Sequence, residues 1–319
     1  MSLDSKKAAY MGCQRLILAI FVALLISASA SAQQTTGKVV GTVTDSLGGV
    51  MPGVKVTATN TATQISTSSV TDKEGSYQVL NLPIGDYRIT AEREGFRTLV
   101  TDAPPLRINE VLRVDLRMEV GARNESVTVE GLAAAVETVN PTLGQSVTSR
   151  PAVDLPLNGR NVLNLALLQP GVTEVNPAAT SGDQAGSFGI AGGKSDSVTF
   201  LLDGGINNDL LANEVVYNPN PDAIAEFRIL TSNYSAEYGR NAGGIVSVVT
   251  KSGTNTLHGS AFDYVRNDLF DANLFFNNRE GLPKQVLKRN QFGFTLGGPV
   301  VIPHVLNGKD KFFWFIDYS

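Results

Sequence analysis

The sequence predicts a mainly β chain in three parts: a small β-sandwich, a small α/β domain, and the first strands of a β-barrel that does not close. Three observations predict it. Between residues 37 and 120, short stretches alternate apolar and polar residues with Gly- and Pro-marked turns between them. Between 121 and 252, helix-like and strand-like stretches mix. From residue 255, longer alternating stretches are flecked with aromatic residues.

Composition narrows the class further. The 319 residues are 42% hydrophobic and 18% charged, which excludes a disordered charged tail. The net charge of −4 leaves no basic footprint for nucleic acid. One Cys and two His exclude a disulfide framework and a multi-ligand zinc site, and no other metal or cofactor set is expected.

Residues 1–32 read as an export signal. Lys6, Lys7 and Arg15 flank the apolar run Leu16 to Ile26, and small residues lead to Ala30-Ser31-Ala32. The run is short for a bilayer span, and no basic stop-transfer segment follows it. Cys13 precedes the apolar run, so it is not the acylated cysteine of a lipoprotein.

The sandwich is assigned to 37–120. Val39, Gly41 and Val43 share a face, as do Val54, Val56 and Ala58, and then Tyr87, Ile89 and Ala91. Leu112, Val114, Leu116 and Met118 read as one final alternating strand. Asp72-Lys-Glu-Gly75 reads as a hairpin turn, not a calcium loop, since it lacks the EF-hand acidic series. Tyr77 and Tyr87 are expected in the core and not as sugar platforms. Gly41-Thr-Val43-Thr-Asp45, Pro52-Gly53-Val54, Thr71-Asp72-x-x-Gly75-x-Tyr77 and Leu82-Pro83-x-Gly85-x-Tyr87 resemble the carboxypeptidase regulatory-like domain. That resemblance implies a prealbumin-like, carbohydrate-binding-like sandwich. It brings no peptidase activity, because neither His258 nor His304 stands in a His-x-x-Glu pair.

In 121–252, Asn161 is expected to cap a helix from Val162 to Gln169 with Leu163, Leu167 and Leu168 on one side. Asp222 is expected to cap a turn of helix over Ala223 to Glu226, ahead of a strand from Phe227 to Leu230. Gly192-Gly193-Lys194-Ser195 is not a phosphate loop, since Phe188 replaces the first required glycine. The stretches Phe200-Leu-Leu-Asp203-Gly204, Asp222-Ala-Ile-Ala-Glu226-Phe-Arg228-Ile229, Tyr234-Ser-Ala-Glu-Tyr238-Gly239 and Gly243-Gly244-Ile-Val-Ser-Val-Val-Thr250-Lys251 resemble the plug of TonB-dependent outer-membrane receptors. With the sandwich in front and Leu155-Pro-Leu-Asn158-Gly-Arg160-Asn161 inside, the chain is most similar to the Oar-like branch. Two departures from the commoner plug pattern, Ala191-Gly192-Gly193 and Ser232-Asn233, bar any transfer of siderophore specificity.

The resemblance implies Asp203, Gly204, Arg228, Tyr238, Gly239, Gly243, Gly244, Thr250 and Lys251 as plug motif residues. It implies an outer-membrane location, TonB as partner, and an unidentified solute, saccharide or peptide, as cargo. Glu125-Ser126-Val127-Thr128-Val129-Glu130 is the candidate TonB box, with an ordinary linker strand as the alternative. An extended strand of this kind adds to a partner's sheet edge through main-chain hydrogen bonds.

Residues 255–319 then read as the start of a transmembrane barrel: His258 to Arg266, Asn290 to Gly297 and Lys311 to Tyr318 alternate, with Phe262 and Tyr264 on one face. Trp314 and Tyr318 suit interfacial girdles. Plugged receptor barrels have about 22 strands, so about three strands leave the barrel open, and the sequence is expected to be the N-terminal part of a longer receptor. A surface adhesive module without transport is the competing reading. An exported hydrolase is not supported, because no Gly-x-Ser-x-Gly or His-x-Glu-x-x-His constellation occurs. Amino-terminal sequencing of the exported protein is expected to begin at Gln33, and its intact mass to show no thiol; retention of residues 1–32 would mark an uncleaved anchor instead.

Overall fold

The computed structural model describes residues 35–121, 126–129, 143–155, 157–174, 188–209, 213–234, 238, 243–304 and 306–319. The proposed signal peptide, Glu125, Glu130 and Gly239 lie outside the described residues.

The first layer pair is a sandwich. One sheet is built on β1 (Gly37–Thr44), which pairs antiparallel with β4 (Ser76–Leu82) and parallel with β7 (Val111–Arg113) and β8 (Leu116–Arg117). The other runs β3 (Ser66–Val70), β2 (Lys55–Asn60), β5 (Tyr87–Glu92), β6 (Thr98–Asp102), β9 (Ser126–Val129). The alternating residues Val39, Val43, Val56, Ala58, Val79, Ile89 and Ala91 meet between the sheets as one core. Tyr77 and Tyr87 are each 2% exposed and belong to that core, as the sequence implies. Asp72 folds its own turn by accepting from the Glu74 and Ser76 amides at 3.0 and 2.8 Å.

The last sandwich strand differs from its sequence pattern. Leu112, Val114, Leu116 and Met118 are all buried, but the strand breaks into β7 and β8. Side chains replace the ladder at the break. Tyr77 donates its hydroxyl to the Val114 carbonyl at 2.6 Å, and the Asp115 carboxylate accepts from the Thr42 amide at 2.9 Å. Beside them, β1 comes so close that a Cβ on Gly41 would overlap the Val114 carbonyl oxygen.

The second domain is a five-stranded sheet in the order β10 (Leu143–Thr148), β15 (Ile224–Ser232), β16 (Ile245–Thr250), β13 (Thr199–Leu202), β14 (Gly205–Ile206). The β13–β16 pair is parallel and the others antiparallel. A separate hairpin joins β11 (Val172–Glu174) to β12 (Phe188–Ile190). Phe200, Phe227, Ile229, Val246 and Val248 cover one sheet face, packed with Val162, Leu163, Leu165 and Ala166. Leu201, Leu230 and Ile245 lie on the other.

Two helix expectations need correction. The capping of Leu163 by Asn161 stands, but Val162–Leu168 is a 3₁₀ run, and Leu167 and Leu168 face solvent. The buried pairs Val162/Leu165 and Leu163/Ala166 are spaced by three, which is the 3₁₀ repeat. The second turn is Pro221–Ala223, and its cap is Asn220, with Pro221 at the first position; Asp222 lies inside it. The strand then begins at Ile224, earlier than the sequence suggests.

The third part is an antiparallel sheet of β17 (His258–Asn267), β18 (Lys288–Pro299) and β21 (Phe313–Tyr318). A small hairpin, β19 (Val301–Ile302) with β20 (Leu306–Asn307), interrupts the second connection. Val265, Phe292, Phe294, Leu296, Ile316 and Tyr318 are exposed. The register puts them on one face, because Leu296 opposes Ile316 and Phe294 opposes Tyr318. Ser260, Phe262, Tyr264, Thr295 and Asp317 take the opposite face.

Tyr77→Phe is expected to cost about 1–3 kcal/mol in denaturant unfolding, because the buried Val114 carbonyl loses its donor. Burial, then the nearby Asp115 carboxylate, push the Tyr77 phenol well above its ordinary value. Its contribution is therefore complete below a pH of about 10 and is lost as pH rises beyond it. The phenylalanine variant should show a flatter alkaline fall in stability.

Candidate functional site

The site is the surface on which the central sheet meets the strands after residue 257, together with its link to the sandwich. Its centre is Arg160, which follows Gly159 in the short turn Asn158–Arg160. The guanidinium forms an ion pair with Asp222 and also donates to Asn220 Oδ1 at 3.1 Å. Both ion-pair side chains are nearly buried, at 11% and 8% exposure, so the pair is shielded from solvent screening. The guanidinium carbon lies 4.3 Å from the Phe262 ring centroid and 4.2 Å from that of Tyr264. One cation thus holds a carboxylate from the central sheet's entry turn and two rings of β17.

Other polar contacts extend the same seam. Ser260 Oγ donates to Asp222 Oδ1 at 3.2 Å, and Asn220 Nδ2 donates to Asp317 Oδ1 at 2.9 Å. Gln291 Nε2 reaches the Gly159 carbonyl at 3.3 Å. All three strands of the third part therefore contribute their polar face to the central domain, while their apolar face stays exposed.

A second group of residues fixes the sheet itself. Asp203 and Gly204 form the two-residue hairpin between β13 and β14, with φ of 48° and 80°. Such a turn needs positive φ at both positions, which Asp-Gly supplies at low cost. The Asp203 carboxylate then accepts from the Thr250 amide at 2.8 Å and the Thr250 hydroxyl at 2.9 Å, tying the hairpin to the end of β16. At the other end of β16, a Cβ on Gly243 would overlap the Ser197 carbonyl, and one on Gly244 the Ile190 side chain. Tyr234 donates to the Gly243 carbonyl at 2.5 Å and meets Tyr238 edge-on, with ring centroids 6.5 Å apart. The Lys251 amide donates to the Ala223 carbonyl at 2.7 Å.

The third group reaches the sandwich. Glu226 and Arg228 are 4% and 5% exposed. Glu226 Oε2 accepts from the Ile108 amide at 3.1 Å, and Arg228 donates to the Ile108 carbonyl. The neighbouring Asn109 has φ of 52°, a conformation asparagine tolerates better than most residues.

The structure brings Asp203, Gly204 and Thr250 together, and it sets Gly243, Gly244 and Tyr238 about the opposite end of the sheet. Arg228 turns toward the sandwich. Ser126–Val129 lies apart from all of these, paired parallel with β6. Sequence reasoning gave no role to Arg160, Asn220, Glu226, Ile108 or Asp317. Arg160 and Asp222 stand 62 residues apart, so no local pattern links them. The Asn220-Pro221 pair, a good cap followed by a good first-turn residue, was the readable signal for the true turn.

A sandwich, a plugging sheet and amphipathic strands that hold the sheet on their polar face define a plugged outer-membrane barrel protein. Family profiles agree part by part: residues 38–119 match the carboxypeptidase regulatory-like domain, 142–246 the TonB-dependent receptor plug domain, and 249–319 an outer membrane beta barrel domain. The chain belongs to the TonB-dependent outer-membrane receptors, and within them to the Oar-like kind. It is 30% identical over 271 residues to the TonB-dependent transporter Oar of Myxococcus xanthus, a match covering 78% of this chain and 23% of that protein. The chain thus spans less than a quarter of the length of that curated relative.

Among solved structures, the siderophore receptor PirA of Acinetobacter baumannii matches with 23% identity and a TM-score of 0.38, over 52% of this chain and 23% of that one. The ferric enterobactin receptor PfeA of Pseudomonas aeruginosa matches with 18% identity and a TM-score of 0.35, over 50% and 22%.

Arg160→Ala is expected to cost about 3–5 kcal/mol, because it leaves the buried Asp222 carboxylate without its cation. Trypsin cleavage of the central domain in outer-membrane fragments should accelerate accordingly. Asp203→Ala removes two hydrogen bonds to Thr250 at an expected cost of about 1–3 kcal/mol, readable as a lower unfolding midpoint.

Proposed function

We propose that the chain serves energy-coupled uptake of a solute, saccharide or peptide, across the outer membrane. The observation that carries this reading is the two-faced sheet of β17, β18 and β21. Its polar face grips the central sheet through Arg160, Asp222, Asn220 and Asp317, and its other face exposes Val265, Phe292, Phe294, Leu296, Ile316 and Tyr318. A lipid-facing apolar surface with polar contents inside is the arrangement of an outer-membrane barrel. The contents here are a folded domain held by a few concentrated polar contacts, so they can shift without dismantling the strands. The relative of Myxococcus xanthus is described as a transporter, which supports the same reading.

TonB is the proposed energising partner, and Glu125 to Glu130 the segment it takes. Support comes from the extended backbone of Ser126–Val129, which suits pairing with a partner strand. Asp203, Gly204, Gly243, Gly244, Thr250 and Lys251 act in this reading as the residues that keep the plug sheet closed at both ends of β16. Tyr238 is assigned to the end where Gly243 lies, beside Tyr234; Gly239 stays with it only as part of the sequence motif.

Cells expressing the receptor should accumulate a member of a labelled saccharide and peptide panel, and a protonophore should abolish that accumulation. Deleting Glu125 to Glu130 is expected to reduce it to the protonophore level while leaving receptor abundance in the outer membrane unchanged. Normal accumulation by the deletion would overturn the assignment of the segment.

A further inference from the structure

We propose that the sandwich carries the pull: the partner strand adds to the outer edge of β9 while β9 stays in the sandwich sheet, and the force enters the plug through Ile108. The proposal rests on the reading of residues 125–130 as the coupling segment and says what that segment pulls on.

Three observations lead to it. First, β9 is not a loose tether. It pairs in parallel register with β6, with Thr98 opposite Ser126, Leu99 opposite Val127, Val100 opposite Thr128 and Thr101 opposite Val129. Second, β9 is the last strand of its sheet among the described residues, so only one of its two edges is taken. An edge strand of this kind offers a row of main-chain donors and acceptors to an incoming strand. Addition there makes a sixth strand and does not require β9 to leave β6. Third, the sandwich is gripped by the plug at a defined point. Glu226 and Arg228, two residues apart on β15, hold the amide and the carbonyl of Ile108. Both side chains are almost fully buried, and Ile108 is 0% exposed, so water does not compete for this grip.

The connection is short in structural terms. β6 ends at Asp102, and the chain from there leads directly to Ile108. β15 is the strand that lies between β10 and β16 in the plug sheet, and its first residues follow the turn that carries Asp222. A displacement of Ile108 therefore acts on the strand next to the ion pair with Arg160. In this arrangement the sandwich is a lever between the partner and the plug, and the chain between 130 and 142 need not carry the force.

The test uses a cross-link and a force measurement on the receptor in outer-membrane fragments. The only native cysteine is Cys13, so Val100→Cys with Thr128→Cys introduces one designed pair at directly opposed positions. Leu99→Cys with Val127→Cys is the second pair. Mild oxidation should close at least one of them. The periplasmic domain of TonB is the probe and also the pulling handle. Oxidised and reduced receptor should bind it with dissociation constants within about twofold, and their force traces should coincide until the plug yields. Glu226→Ala should leave TonB binding within the same twofold but lower the yielding force and detach the sandwich first. Glu226→Gln, which keeps an acceptor for the Ile108 amide, should restore most of it; this separates the grip from a general folding defect.

Failure of both pairs to close would overturn the proposal, since β9 would then not lie on β6. So would loss of TonB binding on oxidation, or a shorter extension in the oxidised trace, because either means that β9 leaves the sheet to work. An unchanged trace for Glu226→Ala would remove Ile108 from the route. A receptor lacking residues 125–130 that still binds TonB overturns the reading of the segment, and the proposal with it. If that deletion loses TonB while the oxidised trace is shortened, the segment stands and the lever alone falls.

Discussion

The arrangement of the second and third parts of this chain depends on one buried cation. Arg160 meets Asp222 inside a seam where neither side chain is more than 11% exposed, and two rings of β17 close over its guanidinium plane. Such a pair need not add net stability, but removing either partner is costly, so it fixes geometry more than it adds affinity. Asn220 also accepts from Arg160 and donates on to Asp317, and Ser260 donates to Asp222. Among the described residues, plug and strands are joined by these direction-sensitive contacts. If such contacts part, the alternative partner for each freed group is water.

The sandwich shows a different economy. Its two sheets are held by alternating apolar residues, with buried side-chain hydrogen bonds set among them. Thr71 accepts from the Val54 amide and donates to the Met51 carbonyl, at 2.9 and 2.7 Å, and Tyr77 caps Val114. These bonds replace missing ladder bonds where strands begin or break. The domain can thus be rigid without disulfides, and rigidity is what an element that passes force onward needs.

Period-two patterns were legible because burial on one face writes them directly into the sequence. This holds for β1, β2, β5 and β18, and it holds for the burial of Leu112, Val114, Leu116 and Met118 even where the strand itself breaks. The break was not legible, because it depends on Tyr77, whose hydroxyl arrives from β4. The Val162 run defeats a helical period, since 3.6 and three residues per turn agree on Leu163 and part only at Leu167 and Leu168. The plug motif residues were readable as a set through resemblance, and the structure adds the contacts that several of them make. The Arg160 seam and the Ile108 grip were not readable, because each joins residues separated by 60 or more positions, and a local motif does not name its distant partner.

The grip on Ile108 is made to main-chain groups, one from each of the two peptide units that meet at this residue. Glu226 and Arg228 take its N–H and C=O, and the isoleucine side chain has no hydrogen-bonding group to offer. Main-chain groups are the same in every residue except proline, which lacks the amide. The plug therefore recognises the path of the backbone, and the fully buried side chain at 108 adds a demand for an apolar residue there. Sandwiches that differ elsewhere could be exchanged in front of one plug, provided that the loop presents a buried apolar, non-proline residue at the same place with the same turn after it. Front domain and plug are free to diversify separately while their joint is kept.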